Sequence, residues 1–349
     1  MFPRPKPRPK TRILFIIKQG ALYGENHPYH VASGLLNSAK FVVDMLNASG
    51  KIEAKLSTVV DNNDIDREVF NFKPLVVVIE AYWVVPDKFD ILAKLHPTVR
   101  WIVRAHSDFP FLATEGVGIE WTKAYLTKPS VSVAFNSQNI VRDLKDLEVD
   151  WKIKNKILYL PNYYPLANLK RGKHPRNEVH IGCFGAIRPL KNQLIQAVAA
   201  VRFADIYGKK LRFYMNSTRC EQGGEGVFRN ISALFRGARH ELVEIGWLDH
   251  DDFLSVMRNM DFALCVSFSE TFCITAADAV SCNVPLICSD QIPWANPRSI
   301  VSTTDTDPIV QKLKNFSDIR GAIVNALNRQ NLSSYSNTAK TLWLRQFAS

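Results

Sequence analysis

The sequence has no run of about 18 uninterrupted apolar residues, so no segment is expected to span a bilayer as a helix. Its first half has no cysteine: all six (Cys183, Cys220, Cys265, Cys273, Cys282 and Cys288) fall in the second half. Their spacings form neither a C-x-x-C pair nor a zinc pattern. This argues against a redox motif or a metal site, and for reduced, mostly buried thiols in a cytoplasmic protein. Residues 1–12, MFPRPKPRPKTR, contain no acid and no apolar h-region, so they are not expected to act as a secretory signal. Alternating proline and basic residues instead fit an extended, solvated tail over 1–11. Glycines 20, 24 and 34 do not have G-x-G-x-x-G spacing, which leaves a dinucleotide fingerprint unsupported.

What is present is an ordinary globular mixture, 46% apolar and 22% charged, on a chain of 349 residues, long enough for two domains. The net charge is +11, of which the first twelve residues supply five. The surplus favours a polyanionic neighbour: nucleic acid, an anionic membrane surface or a phosphorylated substrate. A basic protein without such a partner explains the charge equally well.

Strand-like and helix-like segments alternate. RILFIIK (12–18), AKLSTVV (54–60), LVVVIEA (75–81), RWIVRAHS (100–107) and SVSVAFNS (130–137) read as strands. An amphipathic helix is expected over 30–49, ended by Gly50, with further helices near 86–95, 118–127 and 137–147. Near-continuous Val/Ile runs between helices indicate a parallel sheet covered on both faces. ILYLPNYYP (157–165) ends the series, and the polar stretch LANLKRGKHPRNE (166–178) follows. The second half repeats the pattern, with strands at VHIGCFGA, LRFYMNS, ELVEIGW, FALCVSF and PLICSD. Helices are expected near 191–207, 224–238, 250–260 and 273–282. The expected class is therefore α/β, with two Rossmann-like parallel-sheet domains facing a cleft: an N-terminal domain over 12–165 and a C-terminal domain over 166–331. Residues 332–349 are expected to form a helix returning toward the N-terminal domain.

Ligands of open parallel sheets bind beyond the carboxyl ends of the strands. After the first strand, a turn at Gly20 is a candidate for close backbone approach, or a plain flexible loop. After the fourth, His106 lies between Arg104 and Asp108; such a histidine serves structure or a ligand. After the first strand of the second half, FGAIRPLKN supplies Gly185 for a tight turn, with Arg188 and Lys191 at the next helix start. Cations there oppose the helix dipole unless a phosphate joins them. Arg219, Glu221 and the Gly223-Gly224 turn lie near the next strand end without an assignable role.

The most informative stretch is SFSETFCITAADAVSCNVPLICSD (267–290). A helix starting near Cys273 would offer backbone N–H donors around Phe272, Cys273 and Ile274. Glu270 precedes it and Asp278 lies inside it, about 10 Å apart along the axis at about 1.5 Å per residue. That is too far for an acid/base pair across one bond, and such pairs come from separate elements. Two acceptors for different hydroxyls of one extended ligand fit better. Capping by Ser269 or Glu270 is the plainer alternative.

Together these residues resemble the GT-B glycosyltransferases of the large retaining group 1 family, which includes sucrose, glycogen and lipid-mannose synthesising enzymes. ETFCITAAD matches the spacing of the family's Glu-x-Phe-Gly-(x)4-Glu signature, and SCNVPLICSD its continuation. LPNYYP, with Asn162 as a candidate cleft residue, is similar to the inter-domain element, and FGAIRPLKN to the glycine turn with its diphosphate-binding lysine. Three positions depart: Asp278 stands for a glutamate, Cys273 for a glycine and Ala186 for an arginine. The resemblance implies a nucleotide-diphosphate sugar as donor substrate, no cofactor and no metal, and transfer with retention. It implies that Arg188 and Lys191 neutralise the leaving diphosphate, helped by Gly185 and by the turn at Thr271, Phe272, Cys273 and Ile274. Glu270 would contact the transferred sugar, Asp278 the ribose, and His106 the reacting sugar. The acceptor stays open among DNA with hydroxymethylated pyrimidines, as in some phage transferases, a membrane-surface lipid and a polysaccharide precursor. A phage-encoded protein would work in the host cytoplasm. Two alternatives are a nucleotide-sugar epimerase on the same frame and a non-catalytic nucleic-acid-binding protein.

Overall fold

The computed structural model of the protein describes residues 10–19, 33–147, 156–172 and 177–348. Most of the basic tail, Gly20 and residues 30–32 of the first expected helix lie outside these residues. The described chain divides into two units, each built on one parallel sheet.

The first unit takes the described residues of Met1–Ser107, Glu115–Tyr163 and Asn337–Ser349. Its strands are β1 (Thr11–Lys18), β2 (Ile52–Val59), β3 (Val76–Glu80), β4 (Arg100–Ala105), β5 (Val131–Phe135) and β6 (Ile157–Tyr159). They run in the order β2-β1-β3-β4-β5-β6 with all neighbours parallel. Residues 13–17 of β1 are each fully buried, which is why this strand reads as an unbroken apolar run. The edge strand β2 alternates buried and exposed positions from Ile52 to Lys55, and after Leu56 the parity changes, with Ser57 and Val59 buried. Helices α1 (Ser33–Ala48), α2 (Asp64–Phe72) and α3 (Lys88–Leu95) follow β1, β2 and β3. After β4 come α4 (Phe109–Glu115), which belongs to the second unit except for Glu115, and α5 (Gly118–Thr127), and α6 (Gln138–Asp146) follows β5. Trp343 is buried in this unit's core, 5.8 Å from the ring of Phe15, and its Nε1 donates to the Pro161 carbonyl at 2.8 Å. Burying an indole with its N–H satisfied makes truncation to alanine cost about 3–5 kcal/mol.

The second unit takes Asp108–Thr114 and the described residues of Tyr164–Ser336. Its strands are β7 (Glu178–Gly182), β8 (Lys210–Asn216), β9 (Glu241–Ile245), β10 (Phe262–Cys265) and β11 (Leu286–Cys288), ordered β11-β10-β7-β8-β9, again all parallel. The helices are α7 (Gln193–Ile206), α8 (Gly224–Phe235), α9 (His250–Met257), α10 (Ile274–Ser281), α11 (Thr306–Phe316) and, up to Ser336, α12 (Ile319–Phe347), whose remainder belongs to the first unit. Its core gathers Ile181, Phe213, Leu264 and Ile287 from the sheet with Ala200, Phe203 and Leu313 from α7 and α11.

Three features differ from the sequence reading. Helices α2, α4 and α11 were not among the expected helices; DNNDID looks like a turn and Pro110 like a break. In fact Pro110 falls in the first turn of α4, where a missing N–H is harmless. Helix α12 begins at Ile319, well before residue 332. Helix α7 begins at Gln193, because Asn192 adopts a left-handed conformation (φ 56°) and separates it from the 3-10 turn Pro189–Lys191.

Candidate active site

In the second unit, the segments after β7 and β10 are sewn together by named hydrogen bonds. The Phe268 N–H donates to the Leu190 carbonyl at 2.9 Å. The Asn192 side chain donates to the carbonyls of Val266 and Thr303, at 3.0 and 2.7 Å. Gln196 accepts from the Val266 N–H and donates to the Lys191 carbonyl. Left-handed backbone suits asparagine better than most non-glycine residues, and here its amide also ties the turn to the neighbouring strand end. These ties bring Lys191 Nζ to 2.5 Å from Glu270 Oε1, which also accepts from the Ser267 hydroxyl at 2.8 Å. Both side chains are more than four-fifths buried. Burial works against the Lys191 ammonium, but the Glu270 carboxylate outweighs it and holds the lysine pKa above its ordinary value.

Glycines permit the close approach of the turns. Gly185 has φ 113° and donates its N–H to Asn216 Oδ1. A Cβ on Gly224 would lie 2.0 Å from the Ile187 carbonyl oxygen. That contact, with the bridge pairing Ile187 and Cys220, places the loop after β8 beside Arg188. Arg188 stands 3.5 Å from Glu221, an acid that Arg219 shares, and its guanidinium lies over the Phe111 ring at 4.9 Å. Ala186 is buried and its carbonyl accepts from Gln193, so the turn itself carries no cation at that position.

Helix α10 starts at Ile274, as expected, with Cys273 as its N-terminal flanking residue at φ 62° and ψ 86°. The residue at the family's glycine position therefore keeps a backbone conformation that glycine adopts most readily. Thr271 and Ile274 are half-buried. Phe272 is a core residue instead: its ring packs on Tyr164, Trp294 and Tyr335, and its carbonyl accepts from Trp294 Nε1. Glu270 and Asp278 address different partners. Asp278 is 2% exposed, and its Oδ1 accepts from the Tyr164 hydroxyl and from His250 Nε2, each at 2.7 Å. Burial opposes a charged His250, yet Asp278 raises its pKa; burial and the same carboxylate push the Tyr164 phenol well up. Tyr164 and His250 were missed in the sequence, being far from Asp278 along the chain. All six cysteines are free thiols, and burial pushes Cys183 up to about 12.

In the first unit, His106 follows β4 and its Nε2 is 2.5 Å from Glu80 Oε2, at the end of β3. Arg104 donates through Nη1 to both Glu80 oxygens at 3.1 Å, through Nε to the Leu160 carbonyl, and through Nη2 to Asn162 Oδ1 at 2.6 Å. Asn162 is buried and supports Arg104. Among the described residues, no three of His, Cys, Asp and Glu gather as a metal-binding group, and no helix is long and apolar enough to cross a membrane.

No protein-family model matches the chain, and no curated protein matches it in sequence. Solved structures do match. A sucrose-phosphate synthase from Thermosynechococcus elongatus superposes with a TM-score of 0.70 at 13% identity, covering 97% of this chain and 98% of that chain. A UDP-forming alpha,alpha-trehalose-phosphate synthase from Burkholderia xenovorans gives 0.63 at 13% identity, over 96% and 99%. S. aureus TarM, in a complex that includes UDP, gives 0.55 at 14% identity, over 78% of this chain and 55% of that one. The chain has the GT-B fold. At these identities the likeness is one of architecture: two Rossmann-like parallel-sheet units, here of six and five strands. In the GT-B chain, Gly185, Arg188, Lys191, Glu270 and Cys273 all lie beyond the carboxyl ends of second-unit strands, where open α/β sheets bind ligands.

Proposed function

We propose that the protein is a glycosyltransferase, moving a sugar from a nucleoside-diphosphate sugar to an acceptor with retention and without a metal. The observation that carries this reading is the Lys191–Glu270 pair, which joins the turn after β7 to the segment ahead of α10 in a GT-B fold. Lys191 and Arg188 compensate the charge that develops on the leaving diphosphate, which preorganised cations do best. Glu270 accepts from hydroxyls of the transferred sugar, and the N–H groups from Phe272 to Ile274 assist at the phosphate. Asp278 serves the ribose side through the pair it makes with His250. Within the first unit, His106 is the candidate ligand contact.

Some structural relatives form or hold UDP, which makes UDP-sugars the first donors to try. Calorimetry with UDP-glucose, UDP-N-acetylglucosamine, ADP-glucose and GDP-mannose should show saturable binding of one donor, and the absence of all binding would sink the reading. Lys191→Ala should weaken that donor by roughly tenfold to a hundredfold, the worth of one or two charge-assisted hydrogen bonds. For the acceptor we propose a polyanion, on the strength of the +11 net charge. Binding to duplex DNA or anionic vesicles should then fall steeply between about 50 and 200 mM salt.

A further inference from the structure

Four thiols of the second unit interact around the end of β10. Cys265 is the last residue of β10 and Cys288 the last of β11, where the two are register partners; Cys183 follows directly on β7, the strand on the other side. These three are buried. Cys273 is half-buried, stands in the left-handed turn ahead of α10, and hydrogen-bonds with the Cys265 side chain. Their spacing is not C-x-x-C. The pair exists because the segment after β10 turns back onto the strand end it has just left.

The two sulfurs are not equivalent. The hydrogen bond to Cys273 and burial hold the Cys265 pKa well above the ordinary thiol value, so Cys265 stays a thiol. Burial does the same for Cys183 and Cys288. Cys273 is the member of the group that solvent reaches, and it interacts with the Lys191 ammonium, a cation it shares with Glu270. Cys220 is the other half-buried cysteine, but burial and the Glu225 carboxylate both oppose its thiolate. A reachable sulfur already in contact with a second, sheltered one has the arrangement of an attacking and a resolving cysteine.

We infer that Cys273 and Cys265 are an oxidation site, at which hydrogen peroxide converts the hydrogen-bonded thiols into a disulfide. The Cys273 sulfur attacks one peroxide oxygen and the O–O bond breaks, giving a sulfenic acid at Cys273; the departing hydroxide takes up the thiol proton as water. The Cys265 sulfur then displaces the sulfenic hydroxyl, which leaves with the Cys265 proton as a second water. Two electrons pass from the thiols to one peroxide molecule. The new bond ties the turn at Cys273 to the strand end, and with it the N–H groups from Phe272 to Ile274. Weaker donor binding in the oxidised chain rests on the glycosyltransferase reading; the disulfide does not.

Peptide mapping of the full chain, alkylated after brief exposure to a few equivalents of hydrogen peroxide, should find Cys265 joined to Cys273 and both freed again by a thiol reductant. Both cysteines alkylated after peroxide, a link through Cys183 or Cys288 instead, or an equal yield from the urea-unfolded chain would overturn the site. In Cys265→Ser the reaction should stop at the Cys273 sulfenic acid, trapped by dimedone, and a Cys273 that takes no label would remove it as the attacking sulfur. If that variant does not fold, the wild-type map still decides. Calorimetry with UDP-glucose, UDP-N-acetylglucosamine, ADP-glucose and GDP-mannose should show the bound donor weakened by roughly tenfold on oxidation, about one charge-assisted hydrogen bond. Unchanged affinity would overturn the effect on the donor. A reduced chain that binds none of the four would defeat the proposed function and leave the disulfide to the peptide map.

Discussion

Gly224 and the carbonyl of Ile187 touch so closely that the smallest side chain cannot come between them: a Cβ would stand 2.0 Å from the oxygen. Gly224→Ala should therefore push apart the loops carrying Arg188 and Arg219. A loss of roughly 1–3 kcal/mol, the usual range for overpacking, is expected in urea unfolding, together with weaker donor binding. Gly226→Ala, two residues along in the same helix and facing open space, is the control and should be neutral or stabilising by up to about 1 kcal/mol. Equal effects of the two substitutions would contradict the contact.

Cys273 holds a conformation in which an ordinary side chain is strained by about 1–2 kcal/mol. Cys273→Gly removes that strain but adds freedom to the unfolded chain, so stability should move by less than about 1 kcal/mol. Cys273→Val, whose branched Cβ tolerates positive φ poorly, should cost roughly 1–3 kcal/mol. Paired denaturation curves read both, and a valine variant as stable as the glycine variant would mean that the backbone relaxes there.

The Asp278–His250 pair makes stability depend on pH with a defined sign. His250 has a folded-state pKa above its unfolded value. Its contribution is complete below about pH 6.5, the ordinary histidine value, and is lost as the pH rises through the elevated one. Unfolding free energies of the wild type and of His250→Gln should therefore converge as pH rises above neutrality. A gap that widened with pH would reverse the assignment.

Asp278→Asn tests the same group from the other side. The amide keeps one acceptor but loses the charge that raises His250, so the histidine pKa should fall toward or below its ordinary value. NMR titration reads this directly, and an unmoved His250 would break the pairing.

Much of this architecture is written in local sequence. Val/Ile runs such as LVVVIEA and RWIVRAHS can only be strands buried on both faces, and the structure places β3 and β4 there. The start of α10 was also legible, because the small-residue run after ETFC reads as a helix beginning near Cys273. Helix α2 was not, since its first turn is built from the Asp and Asn residues that otherwise make turns. Tyr164 and His250 were illegible for a different reason. They meet Asp278 from 114 and 28 residues away, and only the fold brings them together. Glu80 did leave a sign: a lone acid ending one apolar strand and a lone arginine near the end of the next call for each other, because neither charge can be buried alone.

The Glu80–Arg104 pairing has a further consequence for how the first sheet assembles. A strand with both faces buried and both faces apolar has little to choose between one alignment and the next, since sliding by a residue exchanges valine for valine. Val76–Glu80 and Arg100–Ala105 form such a pair of strands along most of their length. One acid opposite one base marks a single correct offset, and any slip would strand two charges in a medium that cannot solvate them. The Glu80–Arg104 pair is thus a keyed notch, by which two otherwise featureless strands find their alignment.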